Sequence, residues 1–294
     1  MVSFLKRFHR MFHENRSRLP TCGLVSAGFL AGFGIAAEPS FAQGRLLARY
    51  EASLAGVVVG KGDWSIDIAD DQYTASASGG STGLLRMVSG GKGATVAQGR
   101  VVNGQLAPAT YVSTITTEKK SETIKLLMAG GSVKEFGIEP QPPLAPERLP
   151  VTDAHLRNVI DPMVGSMVRV PGAGEPVSPD ACRSSTSVFD GRMRYDLKLD
   201  FKRMDQVRAE KGYSGPVVVC AVYFKPISGF VPDRASIKYL EAQRNMEVWL
   251  APIAGTRVLV PFKLTVPTPF GTAALEATQF MSVASPSKAA SKTQ

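Results

Sequence analysis

Hydrophobic and polar residues alternate without a break along residues 189–201. Phe189, Gly191, Met193, Tyr195, Leu197, Leu199 and Phe201 share one parity, and Asp190, Arg192, Arg194, Asp196, Lys198 and Asp200 share the other. A period of two sets one face of a β-strand on a core and the other in water. At roughly 3.3 Å per residue such a strand spans about 43 Å, which calls for a large and curved sheet. The pattern places Leu197 and Leu199 in the core and Lys198 and Asp200 in solvent.

The same period recurs on both sides of this stretch. Leu46, Ala48, Tyr50, Ala52 and Leu54 form one face of a first strand, and Trp64, Ile66 and Ile68 form one face of the next. Ala55-Gly56 and Asp70-Asp71 are turns between them, and Gly60-Lys61-Gly62 marks a bulge or bend. Residues 79–104 are glycine-dense, but neither nucleotide-binding glycine pattern occurs. Gly90-Gly91-Lys92-Gly93 lacks the strand-then-helix setting, so bent strands with tight turns are expected. Asn103-Gly104 is a hairpin signal, and residues 111–117 and 122–128 read as a second hairpin ending at Gly130-Gly131. Five prolines in residues 140–150 make an extended linker between two β blocks. Residues 217–224 are apolar on both parities, the signature of a strand buried on both faces. Residues 237–250 predict one or two further strands. Val258, Val260, Phe262, Leu264 and Val266 face one way on another, and Ala273, Leu275 and Ala277 carry a last one. One helix of about fifteen residues is predicted after Thr152-Asp153, with Ala154, Leu156, Val159 and Ile160 on its stripe, a break at Pro162, and Met163, Val164 and Met167 beyond. The pattern therefore predicts an all-β fold: a large curved antiparallel sheet or open barrel of about ten strands with one short helix. A single domain covers residues 43–280, and a Ser/Ala/Lys-rich disordered tail covers 281–294.

The N-terminus changes the picture of where the chain works. Its first twenty residues are basic. A 17-residue apolar run with four glycines follows, and then Ser40 and Ala42 at small-x-small spacing. This is the layout of a secretory signal peptide over residues 1–42, cleaved between Ala42 and Gln43. An uncleaved anchor is the alternative, for which the run is short. The expected mature protein is periplasmic and does not span the membrane. Formal charge is +9, and residues 43–294 carry 29 basic against 23 acidic side chains, scattered without a run of five. A nucleic-acid partner is not expected.

Candidate chemistry is sparse. Cys182 and Cys220 lie on either side of residues 189–201, and in an oxidising compartment they predict a disulfide, the alternative being two free buried thiols. His155 is the one histidine after residue 42, too few for a multi-histidine metal site, so a capping or surface role is expected. Asp190, Arg192, Arg194 and Asp196 read either as an acid/base or anion site or as a solvated face with ion pairs. No catalytic, metal or cofactor motif is identified. Tyr50, Trp64, Tyr195, Tyr223, Phe224, Trp249 and Phe262 are placed mostly on core parity, and a curved sheet wrapping a helix leaves room for an apolar cleft between such residues. The expected function is non-enzymatic binding of an apolar cell-envelope ligand or an envelope protein partner. The alternative is an envelope hydrolase or lyase that uses the carboxylate and arginine row of strand 189–201.

The order of features also resembles one family of exported bacterial proteins, domain of unknown function 3108. The matching residues are Tyr50-Glu51-Ala52-Ser53-Leu54 with Gly56 and Gly60, Gly104-Gln105-Leu106-Ala107-Pro108 with Tyr111, and Val248-Trp249-Leu250 with Pro261 and Gly271. They spread over roughly residues 45–280. The family often has an Asp-x-x-Ser helix after the linker, and Asp161-Pro162-Met163-Val164-Gly165 occupies that place here. The resemblance implies an exported all-β fold and brings no catalytic or binding residues.

Overall fold

The computed structural model describes residues 43–83, 90–143 and 145–285. The expected signal segment 1–42 and residues 286–294 of the expected tail lie outside the described residues.

Seven strands follow one another as an antiparallel meander: β1 (Gln43–Leu54), β2 (Val57–Ile68), β3 (Gln72–Ser81), β4 (Gly91–Val102), β5 (Gln105–Thr117), β6 (Ser121–Ala129) and β7 (Ser132–Glu139). After the proline-rich linker come β8 (Val168–Arg169), β9 (Ser185–Phe189), β10 (Arg194–Arg208), β11 (Lys211–Gly212), β12 (Ser214–Ser228), β13 (Met246–Pro252), β14 (Val258–Thr268) and β15 (Gly271–Ser285). All belong to one 15-stranded sheet, in the order β7-β6-β5-β4-β3-β2-β1-β15-β14-β13-β12-β10-β9, with β11 beside β15 and β8 beside β14. The all-β class and the single large antiparallel sheet match the sequence pattern, but the strand count is about fifteen rather than ten. Two short strands, β8 and β11, and the division of residues 189–201 account for much of the excess.

That division is the main correction. Residues 189–201 are not one strand. Gly191 takes φ +92°, and Asp190 Oδ1 accepts the amides of Arg192 at 2.8 Å and Met193 at 2.7 Å. An Asp-Gly turn of this kind folds the chain into a β9–β10 hairpin. Val188 faces Tyr195 across the hairpin and Phe189 faces Arg194. Paired residues share a face of the sheet, so Phe189 lies on the opposite face from Tyr195, although their parity is the same. An alternating pattern cannot show such a turn, because its residues also alternate. β10 then continues past Phe201 to Arg208.

The two ends of the sheet, β7 and β9, do not pair directly. Residues 157–160 join them. Arg157 bridges Ser132, the Val159 amide donates to the Gly131 carbonyl at 3.0 Å, and the Ile160 amide donates to Ser187 O at 3.0 Å. Phe136 of β7 and Phe189 of β9 meet edge to face at 5.1 Å. The sheet therefore curls until its edges approach, and this loop fills the seam. The expected fifteen-residue helix is broken by the same loop into a 3-10 turn, Asp153–Leu156, and one α-helical turn, α1 (Pro162–Gly165). Its central residues are β-branched and precede a proline, which favours extended backbone. A second correction falls at α2 (Ala235–Ala242), where a strand was expected. Ile237-Lys238-Tyr239-Leu240 is too short a run to separate the two periods. A third is at the C-terminus, where β15 runs to Ser285, five residues into the expected tail.

β12 is buried on both faces, as its composition requires. Val217 packs into the main core with Leu46, Ile66, Phe262 and Phe280, while Val218 and Cys220 pack into a smaller core with Val248, Leu250 and Leu259.

Candidate functional site

The register of four strands builds one apolar wall. Leu197 lies opposite Phe224 and Leu199 opposite Val222. Val222 lies opposite Met246, Cys220 opposite Val248, and Val248 opposite Leu264. Opposed residues share a face, so the wall runs continuously from β10 to β14, with Val188 added by β9. The α1 turn, through Pro162, Gly165 and Ser166, borders a groove of about 350 Å³ against it. A second apolar hollow of about 330 Å³ is lined by Tyr50, Trp64, Met163 and Leu275. Ser166, Pro261 and Leu264 belong to both, so the hollows adjoin across α1. Each lies within the usual size range of small-molecule sites, roughly 300–1,000 Å³.

Local sequence explains the shape. β14 carries a bulge where Leu250 and Trp249 pair with Pro261 and Lys263, leaving Phe262 between them. A bulge tolerates proline and redirects side chains. Phe262 is thereby sent into the main core while Leu264 and Val266 face the groove, so the five residues read from sequence as one face are divided between two. The Tyr50 hydroxyl donates to Pro261 O at 2.6 Å and fixes β1 to this bend. Of the seven aromatics singled out, Tyr50, Trp64, Tyr195 and Phe224 line the two hollows. Phe262 is core. Trp249 donates from Nε1 to Asp205 at 2.9 Å with Arg203 and Lys263 over its ring, and Tyr223 lies under Lys198. Sequence reasoning missed Val188, Leu240 and Pro261, because the hairpin turn, α2 and the bulge are not visible in the pattern. A larger hollow, about 460 Å³, lies on the opposite face of the sheet around the exposed Leu47 and Met281, but Arg49, Asp63 and three serines make its walls mixed.

The charged row does not lie flat in solvent. Asp190 and Arg192 line a hollow of about 390 Å³ with Lys120, Glu122, Arg148 and Arg234. Arg192 pairs with Glu122 at 2.5 Å, and that bond holds the Glu122 carboxyl below its ordinary range. Burial pushes the Asp190 carboxyl up, although it accepts two turn amides. Arg194 instead donates to the carbonyls of His155 and Arg157 and to Ser187, and Asp196 accepts from Ser187 at 2.7 Å. These two residues hold the seam loop against β9. His155 Nδ1 accepts the Thr152 amide at 3.1 Å, a capping role. Among the described residues no three His, Cys, Asp or Glu side chains gather as a metal site. Cys182 and Cys220 are placed at disulfide distance, with sulfurs 2.03 Å and Cα atoms 5.4 Å apart.

Asp161 is fully buried at the start of α1, where its Oδ1 accepts the amides of Met163 at 2.8 Å and Val164 at 3.0 Å and its Oδ2 has no hydrogen-bond partner among the described residues. Burial pushes this carboxyl from 3.8 up to about 6. The folded state therefore holds the proton more tightly than the unfolded chain, so the group's contribution is intact below pH 3.8 and is lost as pH rises through about 6. The loss amounts to about 3 kcal/mol at 1.36 kcal/mol per pH unit. Asp161→Asn keeps the acceptor oxygen and removes the charge. The variant is expected to match the wild type at pH 4 and to exceed it by about 3 kcal/mol at pH 7 in denaturant titrations; an equal difference at both pH values would refute this account of the site.

No curated protein matches this chain significantly. A solved structure described as a beta-barrel-like protein of domain of unknown function DUF1849, from Brucella abortus, superposes with a TM-score of 0.41 at 7% identity, covering 82% of this chain and 98% of that one. A family model matches residues 49–278, most of the described chain, including all three groups of residues that carry the resemblance. The chain thus belongs to the family described as protein of unknown function, DUF3108.

Proposed function

We propose that the protein binds an apolar, lipid-like ligand of the cell envelope, and that it is exported to the periplasm to do so. The observation that carries the reading is the aligned set of half-buried aliphatic and aromatic side chains, Tyr195, Leu197, Leu199, Val222, Phe224 and Leu264, around one groove. Core side chains of this size are ordinarily covered completely, whereas contiguous apolar surface in a concavity is the usual property of a ligand site. The export step rests on the signal-like N-terminal pattern, together with the cysteine pair. The hydrolase or lyase reading has less support. Asp190 Oδ1 caps the β9–β10 turn, and Glu122 is held charged by Arg192 and Lys120, which leaves neither as a poised acid or base.

Binding of the neutral fluorophore N-phenylnaphthylamine tests the groove. The wild type is expected to enhance its emission saturably. Leu197→Glu puts a charge into the groove wall and is expected to weaken binding at least about tenfold, or 1.4 kcal/mol. Lys198→Glu, one residue away and exposed, is expected to leave binding within about twofold, in keeping with the small effects of exposed substitutions. Equal affinities for the two variants would count against the groove.

A further inference from the structure

The basic hollow and the apolar groove lie end to end. Leu240 lines the groove and Ile237 lines the basic hollow. Three residues apart on α2, they occupy the same side of the helix within about one turn, roughly 5 Å. Tyr195 lines the groove, and Met193 and Arg192, just ahead of it on the chain, line the basic hollow. The hollow carries four cations, Lys120, Arg148, Arg192 and Arg234, against two carboxylates, Glu122 and Asp190. Glu122 is engaged by Arg192 at 2.5 Å and Lys120 at 3.8 Å, Asp190 accepts turn amides, and Arg148 donates to the Gly229 carbonyl. Arg234 is exposed and makes no side-chain hydrogen bond or ion pair among the described residues.

We propose that the occupant of the groove is a single-chain lipid with a phosphate-bearing head, its acyl chain against the β10–β14 wall and its phosphate among Arg234, Arg148, Arg192 and Lys120. This inference rests on the apolar-ligand reading and specifies its chemistry. Guanidinium groups match phosphate oxygens in paired, charge-assisted hydrogen bonds, and an uncompensated pair of positive charges at the end of an apolar trough complements a head that carries negative charge. A neutral acyl ligand uses the trough alone.

The test compares lauroyl lysophosphatidate with monolaurin, which has the same glycerol and acyl chain without the phosphate, as competitors for N-phenylnaphthylamine on the full chain at low salt. The wild type is expected to bind the lysophosphatidate at least about tenfold more tightly, with the preference shrinking as salt rises. The double substitution Arg234→Gln, Lys120→Gln, at two exposed positions, is expected to abolish that preference and leave monolaurin affinity unchanged. Circular dichroism of the variant confirms that it folds as the wild type does. Equal binding of both lipids to the wild type, with the fluorophore still bound, overturns the phosphate assignment and leaves the apolar site standing. Failure of the fluorophore and both lipids to bind overturns both readings. Inorganic phosphate competing with lysophosphatidate as strongly as an acylated ligand does overturns the lipid assignment in favour of a free-phosphate site.

Discussion

Gly229→Ala is expected to destabilise the protein by more than about 3 kcal/mol, among the largest effects of any single substitution here. Gly229 follows β12 at φ +78°, a backbone conformation that costs an L-residue about 1 kcal/mol or more. A Cβ added there would lie 1.9 Å from the Arg192 carbonyl oxygen and 2.8 Å from Met193 Cα. Both are backbone atoms of the β9–β10 turn, and neither can move without opening that turn. The residue is also a junction, since its amide donates to Leu149 O at 3.0 Å and its carbonyl accepts from Arg148. Gly56→Ala is the matched control. Its φ of +82° is nearly the same, but nothing lies within 4 Å of the added Cβ, so only the backbone cost of about 1 kcal/mol is expected. Thermal or denaturant unfolding of the two variants isolates the clash. Similar, mild effects would mean that the turn and the end of β12 do not approach as described.

Loss of the cysteine cross-link is expected to cost about 4 kcal/mol in the chain-entropy model, for a loop closed across a sequence separation of 38. Cys182 ends a 3-10 turn, Pro179–Cys182, that packs over the small core, and Cys220 sits in the middle of β12 on the same face as Val218 and Val222. Both side chains are fully buried. A cross-link here would hold a loop against the same face of β12 that carries Val222 and Phe224 to the groove. Intact mass of protein recovered from an oxidising compartment is expected to fall below the dithiol mass by two hydrogens, and Cys182→Ser is expected to lower the unfolding midpoint accordingly. Reaction of Cys220 with a thiol reagent in the native protein would contradict the pairing.

The sequence made the class of fold legible because a period of two survives in almost every strand. Leu46, Ala48 and Tyr50 are buried as their parity requires, and so are Ile66 and Ile68. The turn at Asn103-Gly104, with φ +52° and +70°, is where the dipeptide placed it. Less was legible wherever the strand pattern is interrupted without changing period. The Asp190-Gly191 turn inverts the facing of Phe189 while leaving the alternation intact. The β14 bulge divides Phe262 from Leu264. The Ile237–Leu240 segment is helical, and its four residues are too few to separate the two periods. The apolar cleft was foreseeable in kind, from a curved sheet around a short helical element. Its location was not, since its walls come from four strands whose register is set by those turns and bulges. The basic hollow is assembled from β6, the linker, the β9–β10 turn and α2, which lie far apart in sequence, and only two of its six charges had been singled out.

The surface proposed to receive the ligand is one apolar wall, from β10 to β14. Photo-crosslinking with a diazirine-bearing monoacylglycerol, followed by peptide mapping, tests it most directly. Label is expected on Leu197, Leu199, Val222, Phe224 and Leu264, reduced by excess lysophosphatidate. Label confined to Leu47, Val96 and Met281, on the opposite face of the sheet, or spread without site preference, would contradict it.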